Sequence, residues 1–81
     1  MDIGVEISLY PLTEQYLGPI REIIGRLNAD PRLRVVTSSL STQIFGEYGL
    51  VMQTLERELR EALTGGPRTV VFAKIVGPLE D

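Results

Sequence analysis

The run Thr37-Ser38-Ser39-Leu40-Ser41-Thr42-Gln43 gathers hydroxyls and one amide within a few residues, and Gly46-Glu47-Tyr48 follows closely. Hydroxyls and amides both donate and accept, so such a run can read the hydrogen-bonding edge of a neutral heterocycle. The same residue types favour turns, and the alternative reading is a solvated hairpin whose hydroxyls satisfy its own backbone. Upstream, Glu6, Ser8 and Tyr10 alternate with apolar residues and share one strand face. If that strand lies beside the one carrying Ser41, Gln43 and Phe45, a carboxylate, hydroxyls and two aromatic rings converge. Such a set stacks a flat ring and holds a cation. The competing reading packs Tyr10 and Phe45 at a subunit interface, where aromatic residues are enriched.

Other chemistry is thin. The sequence has no cysteine and no histidine, which removes disulfides, thiolate nucleophiles, imidazole bases and the two commonest zinc ligands together. Glu56, Glu58 and Glu61 fall on the wet side of a predicted helix, where carboxylates are simply solvated. Glu22 with Arg26 and Glu56 with Arg60 stand at helical spacing and read as surface pairs. Gly65-Gly66 lacks the lysine and the strand-to-helix setting of a phosphate loop, so it reads as a helix terminator.

The elements that must hold these residues follow from periodicity. Val5, Ile7 and Leu9 alternate with polar neighbours, which predicts a strand over 5–12 that Pro11 closes or bends. Tyr16, Leu17, Ile20, Ile23, Ile24 and Leu27 recur at three- and four-residue spacing and predict a helix that Thr13 or Glu14 starts. Pro19 is tolerated in its first turn, and Asn28-Ala29-Asp30-Pro31 stops it. β-Branched residues predict strands over 33–39 and 42–45, meeting at the polar turn. From Tyr48, the positions Val51, Met52, Leu55, Leu59, Ala62 and Leu63 return to helical spacing until Gly65-Gly66-Pro67. The last strand runs from Thr69 to Val76, apolar on both alternating sets, and Gly77-Pro78 ends it.

The order strand, helix, strand, strand, helix, strand predicts an α+β, ferredoxin-like βαββαβ fold, with two helices on one face of a four-stranded antiparallel sheet. At 81 residues the chain is one domain, spanning 1–81. A domain of that size buries only about 60 to 65% of the surface its unfolded chain exposes. The second sheet face is bare in a monomer, and another copy of the chain, in a dimer or tetramer, is the simplest cover. A formal charge of −3 repels phosphate backbones and anionic lipid, so neither nucleic acid nor membrane is an expected partner. The first residues carry no basic region followed by a long apolar run, so the chain reads as cytoplasmic.

Ile7-Ser8-Leu9-Tyr10-Pro11-Leu12, Pro19-Ile20, Ser41-Thr42-Gln43-Ile44-Phe45-Gly46-Glu47-Tyr48 and Val51-Met52 together resemble the YkoF-type thiamine- and hydroxymethylpyrimidine-binding proteins. The resemblance implies the ferredoxin-like fold, tight dimers or higher assemblies, and binding of thiamine or its pyrimidine portion without catalysis. No cofactor is implied beyond that ligand. The family motif nominates Ser41, Thr42, Gln43 and Glu47 as ligand-binding residues, and their neighbourhood adds Ser8, Tyr10 and Ser39. The chain departs from the family at Ser38, where relatives often carry Asn, at Glu47, where Asp is usual, and at Gly49, which replaces a second acid. Two other function classes compete with binding: a regulatory or structural homo-oligomerisation module, and an enzyme, which the missing nucleophiles and bases disfavour.

Overall fold

The computed structural model describes residues 1–79. The element order is β1 (Asp2–Pro11), α1 (Leu17–Asn28), β2 (Arg34–Thr37), β3 (Thr42–Glu47), α2 (Tyr48–Leu63) and β4 (Thr69–Leu79). The strands form one antiparallel sheet in the order β2-β3-β1-β4. This is the predicted βαββαβ, ferredoxin-like arrangement, and the first strand does lie beside the third. Among the described residues no helix is long and apolar enough to cross a membrane.

Strand alternation decides which residues meet the helices. Ile3, Val5 and Ile7 of β1 and Ile44 of β3 face α1 and α2, and Ile23, Leu27, Val51 and Leu55 close over them to form the core. Burying each such side chain is worth about 1.5 to 3 kcal/mol, so this cluster carries much of the fold's apolar driving force. The opposite set on β1, Gly4, Glu6, Ser8 and Tyr10, is paired with Phe45 and Gln43 on one side and Val76, Lys74, Phe72 and Val70 on the other. At Gly4 a Cβ would come within 2.9 Å of the Phe45 ring. The missing side chain therefore lets the ring lie across the strand, where the Arg34 guanidinium stacks 4.1 Å from its centroid.

Several boundaries move from their predicted places, each for a local reason. α1 begins at Leu17 with Tyr16 at its N-cap and no side-chain cap, later than Thr13 or Glu14, which keeps Pro19 within the first turn. β3 continues through Gly46 to Glu47, and the bare glycine lets Leu33 and Val51 approach, since a Cβ there would meet them at 3.2 and 3.3 Å. β4 runs past Gly77-Pro78 to Leu79. A proline is admissible there because β4 is an edge strand, and the β1–β4 register shifts between Asp2 and Gly4 at that same end. α2 stops where Gly65 takes a φ of 72°, a conformation that favours glycine.

The largest correction concerns Glu58, expected on the wet face of α2. It is 3% exposed, because Val51, Thr54, Leu55 and Glu58 all lie on the buried stripe of that helix. Arg26 of α1 donates to it from Nε at 2.9 and 3.1 Å and from Nη2 at 2.7 Å. Arg57 adds a further contact at 3.3 Å. Arg26 therefore ties the two helices together rather than pairing with Glu22 on its own helix. The expected Glu56–Arg60 pair does form on the surface.

Candidate functional site

The hydroxyl-rich run becomes the β2–β3 hairpin. Ser38 N–H donates to the Ser41 carbonyl at 2.9 Å, while Ser38 Oγ accepts from the amides of Leu40 at 3.2 Å and Ser41 at 3.3 Å. Its hydroxyl also donates to the Ser41 carbonyl. Ser38 is thus consumed by the turn, as the turn reading expects. Ser8 Oγ donates to the Leu40 carbonyl at 3.3 Å, tying the hairpin to β1.

Behind the hairpin lies a cleft of about 470 Å³, within the range of small-ligand sites. Its floor is the end of the sheet at Ile7, Leu9 and Thr42, and its apolar wall is α1, through Ile20, Ile23, Ile24 and Leu27. Ser8, Tyr10, Ser39, Ser41 and Thr42 all line it. Thr42 sits between Ile7 and Thr37 in the sheet register, on the helix-facing side of β3. It is only 8% exposed, and among the described residues its hydroxyl makes no hydrogen bond. No buried side-chain oxygen among the described residues is left unpaired, so this hydroxyl keeps access to the open cleft. Tyr10, Tyr16, Leu12 and the 87% exposed Leu40 form the rim.

The remaining nominated residues lie elsewhere. Successive β-strand residues point to opposite faces, so Ser41 and Gln43 cannot share Thr42's orientation. Ser41 stands at the cleft edge, but its hydroxyl donates to Glu6 at 3.0 Å, and Gln43 pairs with Glu6 on the outer sheet face. Lys74 reaches the same carboxylate at 3.2 Å; its hydrogen bond, followed by that of Ser41, holds the Glu6 carboxyl below its ordinary value. The two aromatic rings do not converge. Phe45 lies opposite Gly4, six residues along β1 from Tyr10, roughly 20 Å at strand rise.

Glu47 is at the far end of β3, as the N-cap of α2. Its carboxylate accepts from the amides of Gly49 at 2.8 Å and Leu50 at 3.3 Å, and the Gly49 amide chiefly holds its carboxyl below the ordinary value. A lowered folded-state pKa means that the cap stabilises above the usual carboxylate range and is lost as pH falls through the folded value. Glu47→Ala is therefore expected to lower the melting temperature by a few degrees at pH 7 and by much less near pH 3, without changing ligand affinity. Paired melts at the two pH values, with one titration at pH 7, check this.

The sequence reading missed the wall supplied by α1. Tyr16, Ile20 and Ile24 stand four residues apart and line the cleft, and Ile23 and Leu27, which belong to the core, also reach its wall. The apolar residues of that helix form two adjoining stripes, and a stripe wider than one core contact needs is the signal that was available.

No family model matches the sequence, and no curated protein does. Solved structures do match. Protein SP2199 from Streptococcus pneumoniae superposes with a TM-score of 0.83 at 22% identity, over 98% of this chain and 90% of that one. A hypothetical protein, MJ1052, from Methanocaldococcus jannascii gives 0.80 at 18%, over 99% and 84%. A candidate thiamine biosynthesis/salvage protein from Thermotoga maritima gives 0.71 at 20% identity, over 96% and 85%. At these identities the likeness establishes that this chain shares their fold, the one that the YkoF-type resemblance implied, and it stops short of membership in that family.

Proposed function

We propose that the chain is a non-catalytic binding domain that captures thiamine, hydroxymethylpyrimidine or a related small heterocycle in the cleft behind the β2–β3 hairpin. The observation that carries this reading is the Thr42 hydroxyl, which makes no hydrogen bond among the described residues and is open to a cleft lined by apolar side chains of α1 and by the hydroxyls of the hairpin. A ring edge offering one donor or acceptor satisfies that group while the ring face packs on Ile20 and Ile24. The sequence motif and the fold shared with a candidate thiamine salvage protein support the choice of ligand. Thr42→Val removes the hydroxyl and nearly keeps the shape. It is expected to weaken binding of hydroxymethylpyrimidine by about 1 to 2 kcal/mol while leaving the circular dichroism spectrum unchanged. Unaltered affinity in a well-folded variant would remove Thr42 from the site and with it the main support for the reading.

The working unit in this proposal is a symmetric oligomer. β4 stands at the sheet edge with apolar side chains exposed on both faces, Phe72 at 63% on the outer one and Ile75 at 55% on the helix side. Antiparallel pairing with the β4 of a second copy satisfies the free edge amides and carbonyls and is two-fold symmetric by construction. The same feature favours the second reading, an oligomerisation module that binds no heterocycle. Calorimetry with thiamine and hydroxymethylpyrimidine on the assembled protein separates the two.

A further inference from the structure

The cleft has a property that its hydroxyl content alone does not convey: none of its lining residues is charged. Glu6, whose carboxylate accepts from the lining residue Ser41, is not itself part of the lining. Its oxygens are taken by Ser41 at 3.0 Å and Lys74 at 3.2 Å. The lysine is thereby committed to the outer face. Arg34, the cation of the neighbouring strand, stacks on Phe45 on that same outer face. Of the two cations of α1, Arg26 is held by Glu58 on the side facing α2, and Arg21 is not among the residues that line the cleft.

A phosphate entering this cleft gives up its hydration and meets only side chains that are hydroxyl-bearing or hydrocarbon, and the uncapped first residues of α1, Leu17 and Gly18, lie outside its lining. Anions are bound where arginine, lysine or a cluster of free backbone amides replaces the lost water. The hairpin amides offer little, because those of Leu40 and Ser41 already donate to Ser38 Oγ and that of Ser38 to the Ser41 carbonyl. A ring without a phosphate loses far less on entry and can pair with the Thr42 hydroxyl, which has no hydrogen-bond partner among the described residues.

On the reading that this cleft is the ligand site, we infer that it selects the free, unphosphorylated heterocycle and rejects its phosphate esters. The chain then acts on the unphosphorylated form of the molecule, before a phosphoryl-transfer step or after a phosphatase step, and does not hold the anionic product of a kinase. The rim residue Leu40, 87% exposed, provides a place to supply the missing cation without disturbing the core.

Calorimetric titration at pH 7.5 with hydroxymethylpyrimidine and with its phosphate monoester, on the wild type and on Leu40→Lys, tests the inference. The alcohol is expected to bind at least about tenfold more tightly than the ester, which carries about −1.5 to −2 charges. Leu40→Lys is expected to narrow that gap by improving binding of the ester. An ester that binds the wild type as tightly as the alcohol overturns the selectivity and leaves the ring-binding reading standing. A preference that Leu40→Lys does not narrow also overturns it, since the missing cation is then not its cause. Binding of neither compound overturns the ring-binding reading and this inference with it.

Discussion

Arg26→Ala is expected to destabilise the fold by about 2 to 3 kcal/mol, more than any surface substitution in this chain. The reason is the partner left behind. Glu58 is 3% exposed on the stripe of α2 that faces the core, and Arg26 supplies its three shortest hydrogen bonds. Removing one member of a buried pair strands the other in a medium that solvates it poorly, which typically costs about 3 to 5 kcal/mol. Two features moderate that figure here: the Arg26 side chain is itself partly exposed, and Arg57 remains 3.3 Å from the carboxylate. Urea denaturation measures the loss. Arg26→Met combined with Glu58→Leu should recover most of it, because no charge is then left buried without a partner. A loss below about 0.5 kcal/mol for Arg26→Ala, the range of ordinary surface changes, would show that the inter-helix pair is dispensable.

The second large effect concerns assembly. Replacing Phe72 and Ile75 together by lysine is expected to leave the chain monomeric at micromolar concentration, where the proposal has the wild type oligomeric, while the circular dichroism spectrum stays that of the wild type. Both side chains project from β4, one on each face, and neither contributes to the core. Charge on an edge strand is a recurring device against edge-to-edge pairing, and Lys74 alone performs it here, with its ammonium turned toward Glu6. Light scattering on wild type and variant side by side reads the result. A wild type that already scatters as a single chain would remove the symmetric assembly from the proposal, and a variant that keeps the wild-type mass would move the interface away from β4.

The fold was legible because the period of the apolar residues changes cleanly along the chain. Val5, Ile7 and Leu9 repeat every second residue, and Val51, Leu55 and Leu59 every fourth, so element type and order follow from steric alternation alone. Glu58 escaped that reading because a glutamate on a helix is solvated unless a distant cation accompanies it inside, and Arg26 is 32 residues away in sequence. The candidate site was half legible. Ser8, Tyr10, Ser39, Ser41 and Thr42 reach one cleft because a hairpin and its neighbouring strand bring them there. Glu47 falls outside because six residues of extended chain carry it to the opposite end of β3, where a free helix N-terminus claims its oxygens. Ser41, Thr42 and Gln43 are contiguous in sequence yet divided between two faces, so a motif written as a string concealed two destinations.

The sheet order has a consequence for how the chain is made. Within this sheet β1 precedes the other strands in sequence and sits between β3 and β4, so one of its two hydrogen-bonded neighbours is the last of the four strands to be translated. About sixty residues separate the end of β1 from the start of β4. At roughly 5 to 20 residues per second, the ribosome takes on the order of 3 to 12 s to supply them. Until β4 emerges, Ile3, Val5 and Ile7 lack one of the two strands that flank β1, and the sheet cannot close. A long pause after the second helix would therefore present an open template to other nascent chains, which makes the tempo of translation part of what this topology demands.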